Sequence, residues 1–186
     1  SVIIRGTYQA LNKVSTMFAK NDLVNDLGKI LKSSRTALMS LIKPTTSYAA
    51  APKVVHSGTM GTTTWEIFDN RELVLRPTTG SVGEFTVNDY PGNYAPWHSY
   101  EGTFDKILVE GTVRPIGSLL KSFDMSLEPR QDHNSEIIEF ANVGLFESTK
   151  AKMIDLTGFD TSKVTDMQNL FAFSKAKYIK LGDKFD

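Results

Sequence analysis

Cysteine is absent from the 186 residues. That excludes a disulfide framework, a thiolate metal site and a cysteine nucleophile. No apolar run approaches the ~20 residues a helix needs to cross a bilayer, so no transmembrane helix is written here. The sequence has no Asn-x-Ser/Thr sequon, no Gly-x-Gly-x-x-Gly, no P-loop and no His-Glu-x-x-His. No serine sits in a nucleophile-elbow pattern. Histidine is scarce: His56, His98 and His133 lie far apart in sequence. Glu136 and Glu139 are three apart, but nothing in the sequence separates their environments as an acid/base pair requires. No cofactor is expected, and no enzymatic activity.

What is present is a core-forming chain with uneven charge. Hydrophobic residues make up 40 %, enough for a packed interior. Net charge is zero, yet residues 1–43 hold seven basic residues (Arg5, Lys13, Lys20, Lys29, Lys32, Arg35, Lys43) against Asp22 and Asp26. Leu11, Val14 and Phe18, then Leu23, Leu27, Ile30 and Leu31, then Leu38, Leu41 and Ile42 recur at helical spacing. Asn21 or Asp22 suits a helix cap, and Pro44 stops the pattern. Residues 1–43 therefore read as a basic helical segment. It either packs on the remainder or offers a surface to an anionic wall polymer or membrane. Residues 44–53 read as a linker.

Residues 54–143 read as a β-rich cap. Trp65 and Ile67, then Leu73 and Leu75, alternate on either side of Asp69-Asn70, which is a hairpin signal. Phe104–Pro115 reads as a buried strand. The loop between carries Tyr90, Tyr94, Trp97 and Tyr100. Trp97 either closes the end of a core or offers its face to a sugar ring. Residues 121–136 read as an irregular surface insertion.

The most informative feature is a repetition. LFESTKAKMIDL (145–156) returns as LFAFSKAKYIKL (170–181), identical at seven of twelve positions at an offset of 25 residues. A repeat of that length marks stacked coils. Ile154 and Leu156 flank Asp155, and Ile179 and Leu181 flank Lys180, so each pair predicts a short strand with one face buried. Thr165 with Gln168 fits a capping box ahead of a short helix carrying Met167, Leu170 and Phe171. The chain then stops early in a new coil, which predicts an open edge over 178–186 and self-association through it.

At IDLTGFDTSKVTDMQNLF the chain resembles the BspA-like leucine-rich-repeat surface proteins (the DUF285 repeat). Ile154, Asp155, Leu156, Phe159, Asp160, Thr161, Ser162, Val164, Thr165, Met167 and Phe171 carry the likeness. Ser57–Thr64, Trp65, Leu73, Leu75, Pro96, Trp97 and Ile107–Val113 resemble the segment before the repeats in lactic-acid-bacterial and related Firmicute surface proteins. The resemblance spans about residues 55–186. It implies a secreted, Gram-positive cell-surface protein with an adhesion role.

These readings combine into an α+β expectation: N-terminal helices, a small β-rich cap, then the start of a leucine-rich-repeat β/α solenoid over 144–186. The expected function is non-enzymatic adhesion to a host or neighbouring-cell protein or glycan, with no nucleic-acid partner. Met153, Asp155, Tyr178 and Lys180 are the expected ligand-facing positions of the repeat strands, with Trp97 as a further candidate. A carbohydrate-binding cap around Trp97, or a glycan-processing enzyme using loop carboxylates near it, are the alternatives.

Overall fold

Period-two alternation sets the local structure. The computed structural model describes residues 3–6, 50–124 and 140–186. Among these, thirteen strands follow in chain order: β1 (Ile3–Arg5), β2 (Val54–Met60), β3 (Thr63–Phe68), β4 (Glu72–Pro77), β5 (Val82–Phe85), β6 (Lys106–Val109), β7 (Thr112–Pro115), β8 (Gly117–Ser118), β9 (Leu120–Asp124), β10 (Phe140–Gly144), β11 (Met153–Leu156), β12 (Val164–Asp166) and β13 (Tyr178–Leu181). Seven form one sheet in the order β1-β13-β11-β6-β4-β3-β2. From β4 to β1 the pairing is parallel, while β2, β3 and β4 form an antiparallel meander.

The parallel part is a stack of coils, each of which returns one strand to the same sheet. Register aligns Leu73, Ile107, Ile154, Ile179 and Ile4 in one transverse row. All five are buried. On the return side β5 pairs with β7, Val113 bridges Phe159, and β8 pairs with β12. Two aromatic columns fill the interior. Phe85, Phe159 and Phe185 follow at centroid spacings of 6.5 and 6.4 Å. Trp97, Phe146 and Phe171 follow at 6.0 Å each. Stacking requires close backbone contact: a Cβ on Gly158 would lie 2.3 Å from the Gly111 carbonyl oxygen, so only glycine fits there.

The 25-residue repetition is the chemical form of this stack. Leu145, Phe146, Ala151, Ile154 and Leu156 are buried, as are Leu170, Phe171, Ala176, Ile179 and Leu181. One copy lies on the other through Phe146 N to Leu170 O (3.0 Å), Ser148 N to Ala172 O (2.7 Å) and Lys175 N to Thr149 O (2.8 Å). The hairpin expected at Asp69-Asn70 joins β3 to β4, and a second, tighter one at Gly61-Thr62 joins β2 to β3.

The expected fold class is corrected. The chain is β-rich, with no helix of seven residues or more among those described, so the β/α coil over 144–186 does not stand. Of the segment 1–43, Ile3–Arg5 is a strand, and 7–43 lies outside the described residues. Thr165 does not cap a helix; it is an exposed residue of β12. Asp166 Oδ1 accepts the Gln168 N–H at 2.9 Å, and Asn169 and Phe173 adopt left-handed φ of 58° and 55°. The Leu170 and Ala172 carbonyls accept bonds from the preceding coil, so they are committed across the stack. Left-handed residues and inter-coil bonding together exclude a continuous helix over 166–173. Of the insertion expected over 121–136, residues 121–124 belong instead to β9 (Leu120–Asp124), which pairs with β10. The expected open edge is also corrected: β1 pairs with β13 and covers it.

Candidate binding face

The parallel strands turn alternate side chains away from the core, and the repeat brings these together. Met153 lies opposite Tyr178, and Asp155 opposite Lys180. The first row extends through Lys106 to Glu72 on one side and to Ile3 on the other. Four of the five expected ligand-facing residues thus share one sheet face. Tyr178 is 40 % exposed and Lys180 is exposed. Asp155 is partly engaged, since its Oδ1 accepts the Thr157 N–H at 2.9 Å and closes the turn after β11.

Trp97 stands apart and is corrected as a ligand residue. It is 1 % exposed and its ring stacks on Phe146 inside the core. No sugar can reach that ring. The aromatic loop divides: Tyr90 is buried with Trp97, while Tyr94 and Tyr100 stack on His98 and His56, each at 4.0 Å. Lys121 Nζ lies 4.4 Å from the Tyr90 ring centroid, a cation–π contact that holds β9 to this loop.

The carboxylates around the loop serve the stack. Burial pushes the Glu101 carboxyl above its ordinary range, although its Oε2 accepts the Lys150 N–H at 2.8 Å. Burial, aided by the nearby Lys150 charge, pushes His98 down. A bond across two coils occupies Glu101, and ring stacking occupies His98. Asp105 engages Arg71 with both oxygens, at 2.7 and 3.1 Å. Glu84 Oε1 accepts from Arg114 Nε at 2.9 Å and Lys163 Nζ at 3.3 Å. Glu147 Oε2 accepts the Gly144 N–H at 2.8 Å. Among the described residues no group of three or more His, Asp or Glu could hold a metal. Glu136, Glu139 and His133 lie outside the described residues.

A second feature adjoins the outer face, and the reading of the sequence assigned it no role. Lys150 and Lys152 flank buried Ala151, and Lys175 and Lys177 flank buried Ala176. Lys175 N donates to Thr149 O at 2.8 Å and Lys177 N to Lys152 O at 2.7 Å, so one Lys-Ala-Lys lies directly on the other. Hydrogen-bonded neighbours of this kind are ~4.8 Å apart. Like charges so placed repel. Among the described residues none of these four exposed lysines makes a direct ion pair, although the Lys150 charge acts on Glu101 and the Lys152 charge on Asp105. The signal was in plain sight: Lys-Ala-Lys recurs at the repeat offset.

Set beside known proteins, the chain matches no family model, and neither curated proteins nor solved structures give a match.

Proposed function

We propose that this protein is a non-enzymatic binding module of a bacterial surface protein, and that its ligand is an acidic glycan. The carrying observation is the lysine corner: four exposed lysines whose backbones stack in two like-charged pairs, against which Glu101 beside Lys150 and Asp105 beside Lys152 set only two carboxylates. Such an arrangement costs folding energy unless an anion relieves it. Tyr178, next to Lys177 and 40 % exposed, adds an aromatic surface on which a sugar ring can rest. The resemblance of residues 154–171 to the BspA-like repeats supports extracellular, cell-surface display and an adhesive role. Each carboxylate followed above is engaged by a backbone N–H or a basic side chain, which favours binding over glycan processing.

The test is titration calorimetry of the full chain with polyglucuronate, neutral dextran and polyglutamate. Polyglucuronate should bind, weaken steeply as salt is raised, and lose at least tenfold when Lys150, Lys152, Lys175 and Lys177 are all changed to Gln. Dextran should not bind. Unchanged polyglucuronate affinity in the quadruple variant would remove the corner as the site. Equal affinity for polyglutamate would replace the glycan by any polyanion.

A further inference from the structure

The β13 edge is filled by a strand from the other end of the chain, and the filling follows the rule of the stack. Each coil strand begins with the same bond to the coil before it: Lys106 N to Arg71 O (3.4 Å), Met153 N to Asp105 O (3.1 Å), Tyr178 N to Lys152 O (3.1 Å). Ile3 N donates to Lys177 O at 2.7 Å, the next member of that series. Ile4 then enters the buried row beside Ile179 and is 4 % exposed. Gly6 takes the place where the coils carry Leu156 and Leu181. A Cβ on Gly6 would lie 2.7 Å from the Leu181 Cβ, closer than any side chain tolerates. The edge therefore selects an extended segment with a branched aliphatic residue at its centre and glycine two positions on.

We infer that the β13 edge is a strand-acceptor site, and that the N-terminal strand of a second copy of this chain exchanges with the resident β1 upon it. Three observations favour this partner. The identical strand meets both steric requirements, and every copy carries donor and acceptor together, so exchange is self-complementary. Among the described residues the pairing covers three, Ile3, Ile4 and Arg5, so few ladder bonds break when the resident strand leaves. Lastly, β1 and β2 are opposite edges of the sheet, so the chain between them must cross the whole stack. That span is on the order of 30 Å, whereas residues 7–49 have a contour of on the order of 140 Å. The tether is long enough for β1 to reach a neighbour's edge as well as its own, so the neighbour's edge competes as protein concentration approaches the effective concentration of the tether.

The experiment uses the full chain. Wild type should show a concentration-dependent dimer by light scattering, and Ile4→Asp should abolish it by removing the donor. Gly6→Val, which leaves Ile4 in place, should do the same by clashing with Leu181. Its circular dichroism should match wild type, so loss of the dimer cannot be attributed to unfolding. A labelled peptide of residues 1–7 should bind the Ile4→Asp chain at least tenfold more tightly than wild type, whose own strand competes. The same peptide carrying Gly6→Val should lose at least tenfold. Wild type that stays monomeric at all concentrations, or a dimer that persists in both variants, would overturn the proposal. So would an unrelated extended peptide binding as well as residues 1–7, since the edge would then lack the selectivity argued here.

Discussion

The two ends of the stack are built differently. The cap end, from β2 to β7, has little internal repetition and carries paired charges: Arg76 pairs with Glu66 and Arg71 with Asp105, while Glu84 takes Arg114 from the cap and Lys163 from the repeat end. The repeat end, from Leu145 onward, repeats its core residues at fixed offset. Its own exposed lysines stack in like-charged pairs. Repetition gives a perfect apolar row, because the same side chain recurs at the same height. It equally forces the same charge to recur, and a corner that repeats lysine cannot neutralise itself. An irregular cap is free to place opposite charges on adjacent strands.

The largest effect should come from the residue that joins the two ends. Phe159 lies 6.5 Å from Phe85 of the cap, 6.4 Å from Phe185 of the repeat end and 6.1 Å from Phe146. Phe159→Ala should cost about 3–5 kcal/mol in denaturant melts. Two separated transitions instead of one destabilised transition would show that cap and repeats fold independently. Trp97→Ala should cost a similar ~3–5 kcal/mol while leaving polyglucuronate affinity of the folded protein unchanged. A stable variant that loses only binding would restore Trp97 to the ligand surface.

Acid should weaken the cap. Hydrogen bonds from Arg114, then Lys163, hold the Glu84 carboxyl below its ordinary value. A carboxylate whose folded value is depressed stabilises the protein above its unfolded value and loses that contribution as pH falls through the folded one. The Tm difference between wild type and Arg114→Gln should therefore be full at pH 7 and close below about pH 4. A difference that stays constant to pH 2 would mean that Arg114 acts by packing alone.

Salt should move the two ends in opposite directions. Screening weakens exposed ion pairs and relieves exposed like-charge pairs. Hydrogen exchange should show slightly more protection at Lys175 and Lys177, and slightly less at Asp105, as sodium chloride rises from low to molar concentration. The smallest effect is expected at Thr165, exposed in β12. Thr165→Ala should change stability by less than about 0.5 kcal/mol. A loss near 1 kcal/mol would revive a capping role.

Local order was legible from sequence where a single period decides it. The alternation of Ile154 and Leu156 around Asp155, and of Ile179 and Leu181 around Lys180, dictates which face is buried, because successive side chains of a strand point to opposite sides. The 25-residue offset dictates stacking, since a coil with one apolar face is stable only against a neighbour. The outward position of Met153, Asp155, Tyr178 and Lys180 follows from the same alternation. Tertiary structure alone decided the rest. Residues 166–173 had a helix-like spacing, but their carbonyls bond across coils and Asn169 and Phe173 turn left-handed. Trp97 could have faced either way until Phe146 stacked on it. Ile3–Arg5 is too short to show a period, and its partner lies at the far end of the chain. Non-local pairing of so short a strand is fixed by the edge that receives it, through the Lys177 carbonyl, the Ile179 row and the space that Gly6 leaves for Leu181.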